Sequence, residues 1–85
     1  MTHEIALGLG FKLVRYQDIE QVYDWFYNKT RYTPEYWEYA KGDLRLSCTM
    51  KNISVPEWFL QTKERDFLIQ NAQQLRVYLL SKGMY

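Results

Sequence analysis

Few residues in this sequence have the chemistry that catalysis needs. Nucleophilic catalysis requires a thiol or hydroxyl beside a base, and the chain contains one cysteine, Cys48, and one histidine, His3. Cys48 falls on the apolar side of an alternating segment, which predicts a packed and inert thiol. We expect His3 to be solvated near the chain end. With Met1 retained it could complete a square-planar Cu(II) or Ni(II) site, but no other residue points to a metal.

Carboxylates and glycines likewise form no catalytic pattern. Glu20 with Asp24 and Glu35 with Glu38 have helical spacing, which would place like charges on solvated helix faces. Acid/base catalysis needs such a pair held in an enclosed cleft. The glycines within residues 8–10 lack the third glycine of a dinucleotide-binding fingerprint. We therefore predict no catalytic residue, no metal and no cofactor.

Aromatic residues are more abundant than a small core can enclose. Eight Tyr, four Phe and three Trp make up 18% of the chain, and Tyr and Trp are enriched at interfaces because they combine large rigid surfaces with a polar group. In a helix over residues 18–28, Phe26 would face the core while Trp25 and Tyr27 point to either side. We predict a partner-binding surface made of Tyr27, Lys29, Arg31, Tyr32, Tyr36 and Trp37. The alternative is that most of these rings fill an aromatic core.

A second candidate surface lies near the C-terminus, where amide side chains replace charged ones. Solvated helix faces usually carry Glu and Lys, which form supporting ion pairs, whereas here Gln70 and Gln73 lie near Arg76. Such amides could hydrogen-bond a partner protein, or read adenine edges if the helix entered a major groove. The wide apolar surface of this segment favours self-association, with a two-sided internal core as the alternative.

The elements that must position these residues are predicted to be mostly helical. Apolar residues recur at helical spacing in several segments, and capping signals stand at their starts, such as Thr33 before Pro34, Ser54 before Glu57, and Thr62. Four helices are expected, over residues 18–28, 34–41, 55–60 and 63–82.

Two segments alternate with the period of a strand. Over residues 44–51, large apolar residues alternate with polar ones, the clearest such pattern in the chain, and residues 4–14 carry apolar residues at every odd position. Glycines weaken the second pattern, and its alternative is a helix that begins at Thr2 and ends at Gly8 or Gly10. The expected fold is α+β and predominantly helical, with a small two-stranded element packed on the helices.

Length, net charge and composition limit the class of protein that this chain can be. Eighty-five residues are expected to form one domain over residues 1–85. A net charge of +1 gives no general attraction to nucleic acid or to an anionic membrane. A lone cysteine without an apolar leader favours a reducing, cytoplasmic location, and no apolar run reaches the length of a membrane span.

These features predict a small non-enzymatic binding protein that acts by protein–protein interaction. We expect a regulator or inhibitor of a partner protein that itself forms a homo-oligomer, because the aromatic excess comes without any reaction apparatus. The alternative is nucleic-acid or nucleotide binding, either through the aromatic and basic residues 27–37 or through the amide-rich face of the C-terminal helix.

Overall fold

The computed structural model describes residues 1–52 and 55–85. This part of the chain forms two short helices and seven strands: α1 (His3–Gly8), β1 (Lys12–Gln17), β2 (Glu20–Asp24), β3 (Lys29–Thr33), β4 (Tyr36–Lys41), β5 (Leu44–Asn52), β6 (Val55–Gln61), β7 (Asp66–Ile69) and α2 (Ala72–Ser81). The prediction of a predominantly helical α+β chain is wrong, because antiparallel strands make up most of the regular structure. Neither described helix is long and apolar enough to cross a bilayer.

Five of the described strands form one antiparallel sheet in the order β1-β4-β5-β6-β7. Gly42, with a φ of 57°, permits the tight reversal between β4 and β5. β1 pairs with β4 rather than with its sequence neighbour, and the residues between them form the separate β2–β3 pair. The sheet therefore has β1 at one edge and β7 at the other.

Both helices pack on the same face of this sheet. On that face, Leu46 of β5 pairs in register with Leu60 of β6, and both are fully buried. Leu75 and Leu79 of α2 are fully buried in the same cluster, as is Ala6 of α1. Alternate residues of a strand point to opposite faces, so every second residue of these strands lies on the buried face. There they pack against the inward-facing residues of α1 and α2.

The helices predicted over residues 34–41 and 55–60 are the strands β4 and β6. Tyr39 and Trp58 point into the core while their sequence neighbours are more exposed, which is period two rather than 3.6. Aromatic residues favour strands because a pleated sheet gives them neighbours on both sides. The predicted start signal at Ser54 lies outside the described residues.

The long helix predicted over residues 63–82 is also wrong, because only Ala72–Ser81 is helical. Asn71, not Thr62, caps it: the Asn71 side chain accepts a backbone N–H from the first turn. Thr62 instead caps a turn between β6 and β7. Phe67 and its neighbours become a strand because they complete the sheet beside β6, and this pairing overrides their helical spacing.

The N-terminal segment follows the alternative prediction. Residues 4–14 are not one strand, because the chain is helical to Gly8, with Thr2 capping the first turn through its hydroxyl. Gly10, with a φ of 94°, then turns the chain into β1. The strand predicted over residues 44–51 is confirmed as β5.

The helix predicted over residues 18–28 is instead one side of a long hairpin. The pairing of β2 with β3 continues the register of the outer part of the β1–β4 ladder. The ladder is interrupted between the two pairs, where Pro34 has no N–H to donate. Residues 18–35, which include β2 and β3, are called the hairpin arm below.

The hairpin arm gives the molecule its elongated shape. The principal extents are 51 × 24 × 19 Å, and the radius of gyration is 15.2 Å, against about 12 Å for a compact chain of this length. Of the buried core residues that the structure describes, none lies between Phe11 and Tyr39. The arm therefore projects from a core that is built without it.

Candidate functional site

Exposed apolar side chains are concentrated on the hairpin rather than spread over the surface. Of the fifteen large apolar residues exposed in the described part of the chain, ten lie between positions 13 and 32: Leu13, Val14, Tyr16, Ile19, Val22, Tyr23, Trp25, Phe26, Tyr27 and Tyr32. The exposed fraction is highest at the end of the arm, 86% for Trp25 and 89% for Phe26. Apolar patches of this kind mark interaction sites when they are contiguous.

The turn at the end of the arm, residues 25–28, is called the hairpin tip. Asp24 and Lys29 form the last strand pair before it, and Asp24 Oδ1 accepts the backbone N–H groups of Phe26 at 3.0 Å and Tyr27 at 3.4 Å. Asn28 adopts a φ of 52°, a left-handed conformation that Asn tolerates better than most residues. These features fix the backbone of the tip while its rings stay in solvent.

Side chains behind the tip support the rings. Arg31 forms an ion pair with Asp24 at 3.1 Å, and its guanidinium carbon lies 5.7 Å from the centre of the Tyr27 ring. The Trp25 ring meets the Tyr23 ring edge-on at 4.9 Å between centres. An exposed ion pair adds little to stability, but together these contacts restrict the orientation of two tip rings.

Four of the predicted binding residues lie together on the arm. Tyr27 belongs to the tip, and Lys29, Arg31 and Tyr32 lie on β3, all of them exposed. Lys29 and Arg31 share one face of the β2–β3 ladder, and Tyr32 points to the other, since neighbouring residues of a strand alternate. The first face also carries Glu20 and Asp24, so the arm presents an aromatic end with a side of mixed charge.

Tyr36 and Trp37 are not part of this surface. Trp37 is half-buried on the helix-covered face of the sheet, and its ring centre is 4.5 Å from that of His3. Tyr36 is half-buried on the opposite face, where the Arg15 guanidinium lies 5.8 Å from its ring centre. Partial burial, followed by the charge of Glu38, raises the pKa of the Tyr36 hydroxyl.

Gln70, Gln73 and Arg76 lie at the opposite edge of the sheet from the hairpin, because they follow β7. Gln70 precedes α2, and its backbone N–H donates to Gln74 Oε1 at 2.9 Å, while the Gln74 amide donates to the carbonyl of Leu68. Part of the amide pattern therefore stabilises the start of a helix. Gln73 is exposed and Arg76 half-buried on α2.

Trp25 and Phe26 are the residues that the sequence interpretation missed. Phe26 was assigned to the core face of a helix, and that assignment is wrong because it occupies a turn and is almost fully exposed. The available signal was the pair of turn-forming residues Asp24 and Asn28 on either side of three consecutive rings. In such a turn, the rings have no strand to pack against.

The two reactive side chains are both used in packing. Cys48 is fully buried, and burial raises the pKa of its thiol to about 11, so the prediction of a packed thiol is confirmed. His3 is not solvated: its ring lies against Trp37 and Trp58, and its Nδ1 contacts the Tyr39 hydroxyl. The described residues contain no group of three or more His, Cys, Asp or Glu arranged to hold a metal ion.

Comparison with known proteins assigns the chain to no family. No family model, curated protein or solved structure matches it. The function must therefore be inferred from the surface of the molecule itself.

Proposed function

We propose that this chain is a small non-enzymatic binding protein that acts as a regulator or inhibitor of a partner protein, and that the hairpin tip is its principal contact. The observation that carries the proposal is the exposure of Trp25, Phe26 and Tyr27 at the end of a projecting arm. Burying one such side chain is worth about 1.5–3 kcal/mol before the costs of association. Three together therefore contribute roughly 5–9 kcal/mol before those costs.

The rigidity of the tip supports this role. Binding energy is lost when flexible side chains and loops must be ordered at an interface. At the tip, the Asp24 carboxylate already holds two backbone N–H groups, and Arg31 lies beside the Tyr27 ring. Aromatic anchors on a preordered backbone are typical of the few residues that dominate protein interfaces.

The charge of the arm favours a protein partner over nucleic acid. Residues 18–35 contain four carboxylates and two cations, and one of those cations, Arg31, is paired with Asp24. Single-stranded nucleic acid needs a positively charged groove beside the stacking rings. The second predicted nucleic-acid surface is also weakened, because Gln74 uses its amide to hold the start of α2.

The proposed setting is the cytoplasm of the native cell. A buried free thiol at Cys48 needs no oxidising compartment. Its partner is proposed to carry an apolar cleft that accepts the tip rings, with a basic rim to match the carboxylates of the arm.

Affinity capture with paired variants tests the proposal. The wild-type protein, the double variant Trp25→Ala/Phe26→Ala and the control Leu80→Ala are each immobilised and exposed to extract of the native cell. Leu80 is 60% exposed on α2, away from the tip. We expect a protein that the wild type and the control retain and the tip variant loses, with a Kd at least about a hundredfold weaker for the tip variant, since two rings are removed.

Thermal unfolding of the three proteins should be nearly superimposable, because neither tip ring is buried. The proposal fails if the tip variant retains the same proteins with the same affinity as the wild type. Retention of an oligonucleotide with steep salt dependence would instead identify the nucleic-acid alternative.

A further inference from the structure

We propose that the hairpin arm swings as a rigid unit on a hinge at its base, formed by residues 18–19 on one strand and residues 34–35 on the other. The hairpin tip then samples several directions while the five-stranded sheet stays fixed. The inference is independent of the proposed function, because it concerns how the arm joins the sheet and not what the tip binds.

The ladder of backbone hydrogen bonds stops at the base of the arm and resumes beyond it. The β1–β4 pairing ends at Gln17 opposite Tyr36, and the β2–β3 pairing begins at Glu20 opposite Thr33. In the described part of the chain, no backbone hydrogen bond joins residues 18–19 to residues 34–35 across this gap. The two strands are therefore held together on either side of the gap but not within it.

Local chemistry explains why the gap stays open. Pro34 has no N–H to donate, and the register places it opposite Ile19, whose N–H donates instead to Asp18 Oδ1 at 2.8 Å. Asp18 falls opposite Glu35 in the same register, and like charges on directly opposed residues destabilise a strand pair. Neither facing pair in the gap therefore favours a continuous ladder.

The sheet holds its own side of the gap in place. The backbone N–H of Met50 on β5 donates to the Glu35 carbonyl at 3.1 Å. The Tyr16 hydroxyl on β1 donates to the Glu35 carboxylate at 2.9 Å. Glu35 is thus attached to two strands of the sheet, and the movement takes place just beyond it, where this support ends.

Beyond the gap, the arm is stiff but has no support from the core. Five successive register pairs join β2 to β3, and Asp24 closes the far end with its ion pair and its two turn hydrogen bonds. Neither the buried core nor the half-buried apolar residues packed against it include a described residue of the arm. A strand pair of this length spans roughly 17 Å. A small rotation at the base is therefore amplified at the tip, and no core contact opposes it.

Pulsed EPR distances between nitroxide labels on the full chain test the hinge. Labels at Lys29→Cys on β3 and Gln73→Cys on α2 report the arm against the sheet, and labels at Lys12→Cys and Gln73→Cys give a reference within the sheet and its helix. All three positions are exposed, whereas Cys48 is fully buried and takes no label. Hinge motions take microseconds to milliseconds, so a rapidly frozen sample keeps many arm directions, and we expect an arm distribution at least about twice as wide as the reference.

A closed-ladder variant, Asp18→Lys/Pro34→Val, tests where the motion lies. It restores an N–H at position 34, releases the N–H of Ile19 for cross-strand pairing, and places a cation opposite Glu35. The arm distribution should narrow by at least about half, because opposite charges and a complete ladder hold the strands together. Glu20→Lys is the matched control: it makes the same charge reversal at an exposed position within the paired part of β2, and it should leave the width unchanged.

Three outcomes overturn the proposal. One is an arm distribution no wider than the reference in the chain that carries only the labels. The second is a closed-ladder variant whose arm distribution stays as wide as before, which would place the motion elsewhere. The third is equal narrowing by Glu20→Lys. The reference distribution, measured in every variant, reports folding, and Asp18→Lys alone replaces a closed-ladder variant that does not fold. Loss of partner capture by the tip variant changes none of these widths, so the two proposals fail separately.

Discussion

One carboxylate organises the hairpin tip. Asp24 Oδ1 accepts two backbone N–H groups in the turn, and its other oxygen pairs with Arg31. This carboxylate therefore restrains the turn backbone directly and holds Arg31, whose guanidinium lies beside the Tyr27 ring. A short polar side chain that binds its own backbone in this way is typical of tight turns.

Asp24→Ala should therefore loosen the tip without unfolding the protein. The loss of one hydrogen bond is worth about 0.5–1.5 kcal/mol, so amide exchange at Phe26 and Tyr27 should accelerate by roughly three- to tenfold. Hydrogen exchange measured residue by residue by NMR gives the rates. Glu20→Ala, which removes an exposed carboxylate from the other end of β2, is the control. Unchanged rates in Asp24→Ala would mean that ring contacts alone hold the turn.

The thiol of Cys48 gives a prediction in pH. Burial raises its pKa from 9.0 to about 11, so the folded state keeps a proton that the unfolded state has lost between these values. The folded state therefore binds more protons in that window, and stability must fall as pH rises from 9 to about 11. The full loss attributable to the thiol is about 2–3 kcal/mol.

Urea unfolding at several pH values measures this decline, and Cys48→Ala should reduce it. Tyr16 contributes a loss of the same sign at higher pH, since its hydrogen bond to Glu35 raises the pKa of its hydroxyl to about 12. Equal declines in the wild type and in Cys48→Ala would show that the thiol does not titrate with folding.

At the scale of elements, α2 is held by two positions of its inner face. Leu75 and Leu79 are fully buried against the sheet, whereas Leu80 is 60% exposed. Leu79→Ala should destabilise the protein by about 2–5 kcal/mol, because it leaves a cavity in a small core. Leu80→Ala should change stability by less than about 0.5 kcal/mol. Chemical denaturation of both variants gives the comparison, and similar losses would show that α2 is not docked as described.

The elements also show why the sequence was misleading. The alternation of apolar and polar residues predicted a strand correctly where only one face is buried. Residues 44–51 alternate strictly and form β5. Over residues 34–41, rings occupy neighbouring positions, so the helical and strand periods fit equally well. The choice is made by pairing with β1 and β5, which are distant in sequence. Such pairing cannot be read from local spacing.

Turn signals were likewise present but ambiguous. Pro34 and Thr62 were interpreted as helix starts, and both instead stand where strands are interrupted or turn. Pro at a strand break and Pro at a first helical turn use the same fixed φ and the same missing N–H. The helix capped by Asn71 begins nine residues later than the predicted one because Gln70 and its neighbours complete the connection from β7.

At the scale of the whole molecule, the surplus of rings was predictable and its location was not. Seven of the fifteen aromatic residues are exposed, as expected for a chain whose core is too small to hold them. Five of the seven lie on the hairpin arm, and this location depends on the long hairpin, whose prediction required the correct pairing of β1 with β4. Of the nine predicted binding residues, four therefore lie on the arm, Tyr36 and Trp37 lie in the sheet, and Gln70, Gln73 and Arg76 lie just before or on α2.

The projecting arm leads to a prediction about the whole fold. A chain in which residues 18–35 are replaced by the two-residue turn Asn-Gly, joining Gln17 directly to Tyr36, should fold, because these two residues already pair and the described core contains none of the removed side chains. Asn-Gly suits a two-residue hairpin turn.

The shortened chain should unfold cooperatively, since a hairpin alone adds little stability. It should also scatter X-rays as a compact particle, because the projecting arm is gone. Its radius of gyration should fall from 15.2 Å towards about 11 Å. A shortened chain that fails to fold, while Trp25→Ala/Phe26→Ala folds normally, would show that the backbone of the arm, rather than its rings, supports the sheet.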